Sequence, residues 1–151
     1  MSISKLLILL AVALMVAVPA GTARADAHWE GTGTAVIWDD AALSDAITYT
    51  MTGVTVPDST WAYEGWLVSD DGNVKLSTGI MAVDSDGNIN HSYTDADGLN
   101  LIYGYDKVVV TVEPIPDSDP GPSGVYAFSD SIPTAAMAHI RHLLTIWPPG
   151  T

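Results

Sequence analysis

Period-two alternation, cut at short intervals by Asp-Gly and Pro-Asp pairs, constrains this chain more than any other feature. Between residues 45 and 54, Ile47, Tyr49 and Met51 fall on one face and Thr48, Thr50 and Thr52 on the other. That is the pattern of a half-buried strand. Across 107–113, Val108, Val110 and Val112 alternate in the same way against Val109 and Thr111. Further β-prone runs occupy 34–38, the aromatic-rich 61–68, 74–83, 89–94, 99–105 and 125–128. The joints between them include Pro57-Asp58-Ser59, Asp71-Gly72-Asn73, Asp86-Gly87 and Asp97-Gly98. Glycine accepts the positive φ that a twisted hairpin turn demands. Roughly seven or eight short strands at this spacing predict a mostly β fold, an immunoglobulin-like antiparallel β-sandwich. Residues 114–122, rich in proline, glycine and acid, read as a loop unsuited to a central strand.

The last segment changes period. Ser131 can cap a helix whose first turn holds Pro133, a position that tolerates proline. Met137, Ile140 and Leu144 then share a stripe, with Ala136 and Leu143 beside it, and Pro148-Pro149 stops the run. The spacing predicts one C-terminal helix over about 133–146.

The N-terminus reads as an export signal. Lys5 supplies a charge, an apolar run extends from Leu6 to Val18, and small residues end in Ala23-Arg24-Ala25. These three parts describe a secretory signal peptide over 1–25. The run is shorter than the roughly 20 residues that span a bilayer. Cleavage after Ala25 leaves a single domain, 26–151, with no further membrane span. Retention would instead leave an N-terminal anchor. Either way the domain is expected to be secreted or periplasmic.

Charge and composition narrow the chemistry. All 18 acidic residues lie after Ala25, where only Lys75, Lys107 and Arg141 oppose them, a net charge of −15. Such a surface repels phosphate backbones, so nucleic acid is excluded as a partner. The chain has no cysteine, which removes disulfides, thiolate metal sites and thiol nucleophiles. There is no Gly-x-Ser-x-Gly elbow and no phosphate-cradling glycine loop, so no catalytic residue and no cofactor is expected.

Three groups remain as candidates. The Asp-rich turns offer oxygens to a hard cation such as calcium, with Asp84, Asp86 and Asn88 as the ligands. The same residues are also good hairpin corners in their own right. Any calcium binding is expected to be weak, about 10⁻⁴–10⁻³ M, the range of extracellular modules. His139 and His142 stand one helical turn apart and can share a transition metal, with His28, His91 or a carboxylate completing the set. The alternative is a His-rich polar helix face. Trp61, Tyr63 and Trp66 lie on one strand; if it is regular, Trp61 and Tyr63 share a face and Trp66 takes the other. At least one ring then faces away from the core and offers a partner surface. A bulge at Gly65 would instead let all three rings pack inward.

Several of these stretches together resemble a known family. Val56-Pro57, Tyr63-Glu64-Gly65-Trp66-Leu67-Val68 and Leu76-Ser77-Thr78-Gly79 come first. Val108-Val109-Val110-Thr111-Val112-Glu113-Pro114 and Pro120-Gly121-Pro122-Ser123-Gly124 follow. In this order they resemble the C-terminal domain of anti-sigma-K factors, over roughly half of 26–151. The resemblance implies an extracytoplasmic β-sandwich that senses or binds, and it supplies no catalytic residues. A full member carries a sigma-binding region before its membrane segment, whereas only Met1 to Lys5 precede the apolar run here. The expectation is therefore an exported, non-enzymatic module with a partner in the cell envelope. From another class, a structural or adhesive surface protein with calcium-binding hairpins fits the same composition.

Overall fold

The computed structural model describes residues 29–133. Seven strands run β1 (Thr32–Trp38), β2 (Ala46–Thr52), β3 (Trp61–Val68), β4 (Lys75–Met81), β5 (Ile89–Thr94), β6 (Lys107–Pro114) and β7 (Tyr126–Ser131). One short helix, α1 (Leu101–Gly104), lies between β5 and β6. The strands form two sheets, one of order β1-β2-β5 and one of order β4-β3-β6-β7. Every pairing is antiparallel. This is the expected immunoglobulin-like sandwich, with the fourth strand beside the third rather than beside the fifth. The predicted helix over about 133–146, and the signal segment, lie outside the described residues. Among the described residues no helix is long and apolar enough to cross a membrane.

The alternation in β2 translates directly into layers. Ile47, Tyr49 and Met51 are buried between the sheets, while Thr50 and Thr52 are exposed. From the other sheet Tyr63, Leu67, Val110 and Val112 meet them, and Leu101 of α1 closes one end of the same cluster. A ring stack fills another part: Trp29 and Trp61 stand 5.3 Å apart, and Trp61 meets Tyr63 edge-on at 5.1 Å. Aromatic pairs in these geometries add to the stabilisation from area burial alone.

The run at 99–105 is helical, not a strand, and its capping explains why. The side chain of Asn100 accepts from the N–H of Ile102 and of Tyr103, and its amide donates to the Leu43 carbonyl at 2.9 Å. An Asn at this position satisfies the donors that a helix start leaves unpaired. Leu101, a residue that would suit a strand face equally, is thereby turned into the core.

One of the turns shows why glycine is required there. Gly87 sits at φ +76°, and a Cβ on it would lie 2.5 Å from the Val54 carbonyl oxygen. Its own carbonyl accepts from the Val54 N–H at 3.0 Å. Neither the backbone angle nor the close approach admits a side chain.

Candidate functional site

The Asp-rich turns are corners whose carboxylates are already engaged. The Asp84 carboxylate accepts from the N–H of Asp86 and Asn88 and from the Asn88 side-chain amide. Asp71 does the same with Ser69 and Asn73, and Asp95 with Tyr93, Asp97 and Leu99. This is the Asx-turn device, in which a short carboxylate substitutes for a backbone acceptor. Donors favour the ionised form. The Asn88 side chain foremost holds Asp84 below the usual carboxylate range, the Ser69 hydroxyl does so for Asp71, and the Leu99 N–H for Asp95. Asp45 is the buried version. Burial pushes its carboxyl up, but the N–H groups of Asp40, Ala42 and Ala41 outweigh that and hold it low. Among the described residues no three metal-ligating side chains gather in one place. The trio Asp84, Asp86 and Asn88 shares one turn, where Asp86 contributes its backbone N–H to Asp84.

His139 and His142 lie outside the described residues, as does His28. His91 is described: its Nε2 lies 2.7 Å from the Thr78 carbonyl oxygen, and its ring stacks obliquely on Tyr49. It ties β5 of one sheet to β4 of the other, a structural use of the imidazole.

The aromatic partner surface expected at Trp61, Tyr63 and Trp66 is overturned, because their relative exposures are 8%, 0% and 3%. Trp61 and Tyr63 belong to the core. A register shift does occur at Gly65/Trp66, but on the β4 side, while the β3–β6 ladder runs unbroken. Trp66 therefore stays on the outward face opposite Val109. It is buried there by a polar chain: its indole N–H donates to the Thr111 hydroxyl at 2.8 Å, and that hydroxyl donates to Glu113. The loop after β6 folds back onto this end, where the Ser123 N–H donates to the Glu113 carboxyl at 3.0 Å. Thr111 and Glu113 are as buried as the core. Nearby, burial first, and then Glu113 and Asp117, push the Glu64 carboxyl up, against the hydroxyl of Ser77.

The feature that sequence reasoning missed is a cleft of about 840 Å³ between the sheets on the β1–β7 side. A sandwich has two open sides, and here they differ. Between β4 and β5 the chain crosses through the Asp84–Asn88 turn, with Val83 bridged to Ile89 and His91 on Thr78. Between β1 and β7 nothing comparable links the sheets among the described residues, and each of these strands is paired on one side alone. The inward positions of β1 opposite the buried Met51 and Tyr49 hold Gly33 and Ala35. Both are exposed although they face inward, and Gly33 is packed so closely on β2 that a Cβ would lie 2.6 Å from the Met51 side chain. The floor is apolar, built from Met51, Val108, Val110 and Phe128. Asp130 of β7 pairs with the inward-facing Val108 and lines the same cleft. Glu30 stands before β1, and Asp39 and Asp40 directly follow it. Small residues at inward positions of a first strand are the one sequence signal that could have disclosed this opening.

Set against known proteins, the chain matches no protein-family model, no curated protein and no solved structure at a significant level.

Proposed function

We propose that residues 26–151 form an exported, non-enzymatic binding module of the sensor type found in the extracytoplasmic part of anti-sigma-K factors. Its binding face is the cleft between β1 and β7, and its partner is a protein of the cell envelope with an apolar contact segment and basic edges. The observation that carries this reading is the cleft itself. Among the described residues it is a largely apolar space between two sheet edges that carry no further strand, with Asp130 on its wall, on a module of net charge −15. Concave apolar sites with a few placed polar groups are the usual locations for ligands. The Lys5-to-Ala25 pattern supports export, and the resemblance over Val56 to Gly124 supports a sensing role. The Asp-rich turns cap their own backbones, which supports reading them as corners ahead of the calcium-adhesive alternative.

The test is site-specific photo-crosslinking in the producing cells. A photoreactive residue at Ala35, an exposed inward position of β1 that lines the cleft, is compared with one at Ile80, exposed on the outward face of β4. One defined envelope adduct from position 35 and none from position 80 is expected. Equal labelling at both positions, or none at either, refutes the proposal.

A further inference from the structure

We infer that the cleft receives an extended segment of the partner, which adds as a strand to the free edge of β1 and carries Lys or Arg on both flanks. This deepens the reading above and rests on it.

The backbone argument begins with β1. All seven of its residues pair with β2, from Thr32 opposite Thr52 to Trp38 opposite Ala46. Its other edge faces the cleft side with no strand beside it among the described residues. An unpaired edge presents a row of N–H and C=O groups that templates another strand, and strand addition is a recurrent way of recognising extended peptides. Natural edges are commonly blunted by Pro, Lys or a bulge. The run Thr32–Trp38 contains neither Pro nor Lys, and its register to β2 is unbroken. An added strand would place alternate side chains toward the cleft, against its Val110 and Phe128 wall.

Charge decides between occupants. In an antiparallel pairing of two copies through β1, Glu30 of one copy would come beside Asp39 and Asp40 of the other. Like charges directly opposite are destabilising, and each whole chain carries −13. A second copy is thus disfavoured at the very ends of the strand. A partner strand with basic residues on its flanks has Glu30 before one end of β1 and Asp130 on the opposite rim. Asp39 and Asp40 after the other end add negative field, although they accept from Ser44 and Thr94.

The exported chain is titrated by calorimetry with Lys-Lys-Val-Thr-Val-Thr-Val-Thr-Val-Lys-Lys, whose central run matches the length of β1. Two controls are used: the same peptide N-methylated at alternate residues along one edge, and its Glu-flanked twin. N-methylation keeps charge and apolarity but removes the main-chain donors. Several hydrogen bonds at about 1 kcal/mol each are then lost, so affinity should fall by about tenfold or more. The Glu-flanked peptide should bind more weakly than the basic one by a similar factor. Equal binding of the methylated and unmethylated peptides reduces the contact to charge alone and overturns the inference. Absence of binding overturns it too, whether a second copy or the chain's own segment after Pro133 holds the edge. If the peptides fail while position 35 still crosslinks an envelope protein, the strand mode falls and the binding module stands.

Discussion

Replacing Thr111 by Val isolates the polar chain that holds the outward face of the larger sheet. The Thr111 hydroxyl accepts from the Trp66 indole N–H at 2.8 Å and donates to Glu113, and all three residues are at most 3% exposed. Valine nearly preserves volume, so no cavity opens, but the indole N–H loses its acceptor in a dry site. An orphaned buried donor costs about 1–3 kcal/mol, and the lost bond to Glu113 adds about 1 kcal/mol. We expect destabilisation of about 2–4 kcal/mol, a large part of the 5–15 kcal/mol typical of a whole domain. With a urea slope of about 2 kcal/mol/M, the middle of the usual range, the midpoint should fall by about 1–2 M. Thr111→Ser, which keeps the hydroxyl and removes one buried methyl, should cost only about 1 kcal/mol. Adding Trp66→Phe to Thr111→Val removes the orphaned donor, so the two should be coupled by about 1 kcal/mol or more. Equal midpoints for the Val and Ser variants, or strict additivity in the double variant, would refute the assignment.

Other outcomes follow from the same geometry. The carboxyls of Asp45, Asp71, Asp84 and Asp95 are all held below the ordinary aspartate range, about 3.9 in unstructured peptides. Their contribution is therefore present above that value and lost as pH falls through their lower folded values, and urea midpoints should drop steeply below about pH 4; Asp84→Asn should flatten that drop, and an unchanged acid slope counts against the turn-cap role. Calcium calorimetry should show nothing tighter than about 10⁻⁴ M, and a micromolar site abolished by Asp86→Ala would reverse the reading of these turns. Gly87→Ala should lower thermal stability far more than Gly72→Ala. Both positions have positive φ, but only at Gly87 does a Cβ meet backbone, at 2.5 Å from the Val54 oxygen; similar losses would show that backbone angle alone matters. Intact mass spectrometry of exported protein should give a chain beginning at Asp26, and a dominant species retaining 1–25 would contradict the export signal's cleavage.

Sequence legibility stopped where pairing became non-local. Ile47, Tyr49 and Met51 declare their face through neighbours two residues away, and the structure keeps that assignment. Val109, Thr111 and Glu113 alternate just as clearly, yet they are buried on the outward face, because Ser123 from a later loop returns to Glu113. No period within 107–113 contains that information. At 99–105 the apolar and aromatic residues suit a strand, and only the capping bonds of Asn100 tip the segment into a helical turn. Trp66 obeyed the alternation rule and still was not a surface, since a hydroxyl two residues along the neighbouring strand captured its indole. The acidic turns were readable as corners, whereas their use as backbone caps required the distances. The cleft was least legible, because Gly33 and Ala35 matter only once β1 is known to be an edge.

Hydrogen exchange along β1 tests the central claim most directly. The alternate amides of Thr32–Trp38 that do not bond β2 should exchange fast in the isolated exported chain, while β3 and β6, paired on both sides, stay protected. Adding the crosslinked envelope partner, or the basic peptide, should slow those β1 amides by about tenfold or more and leave β4 unchanged. Protection of the same amides in the isolated chain, or binding of the partner with no change along β1, would contradict the account.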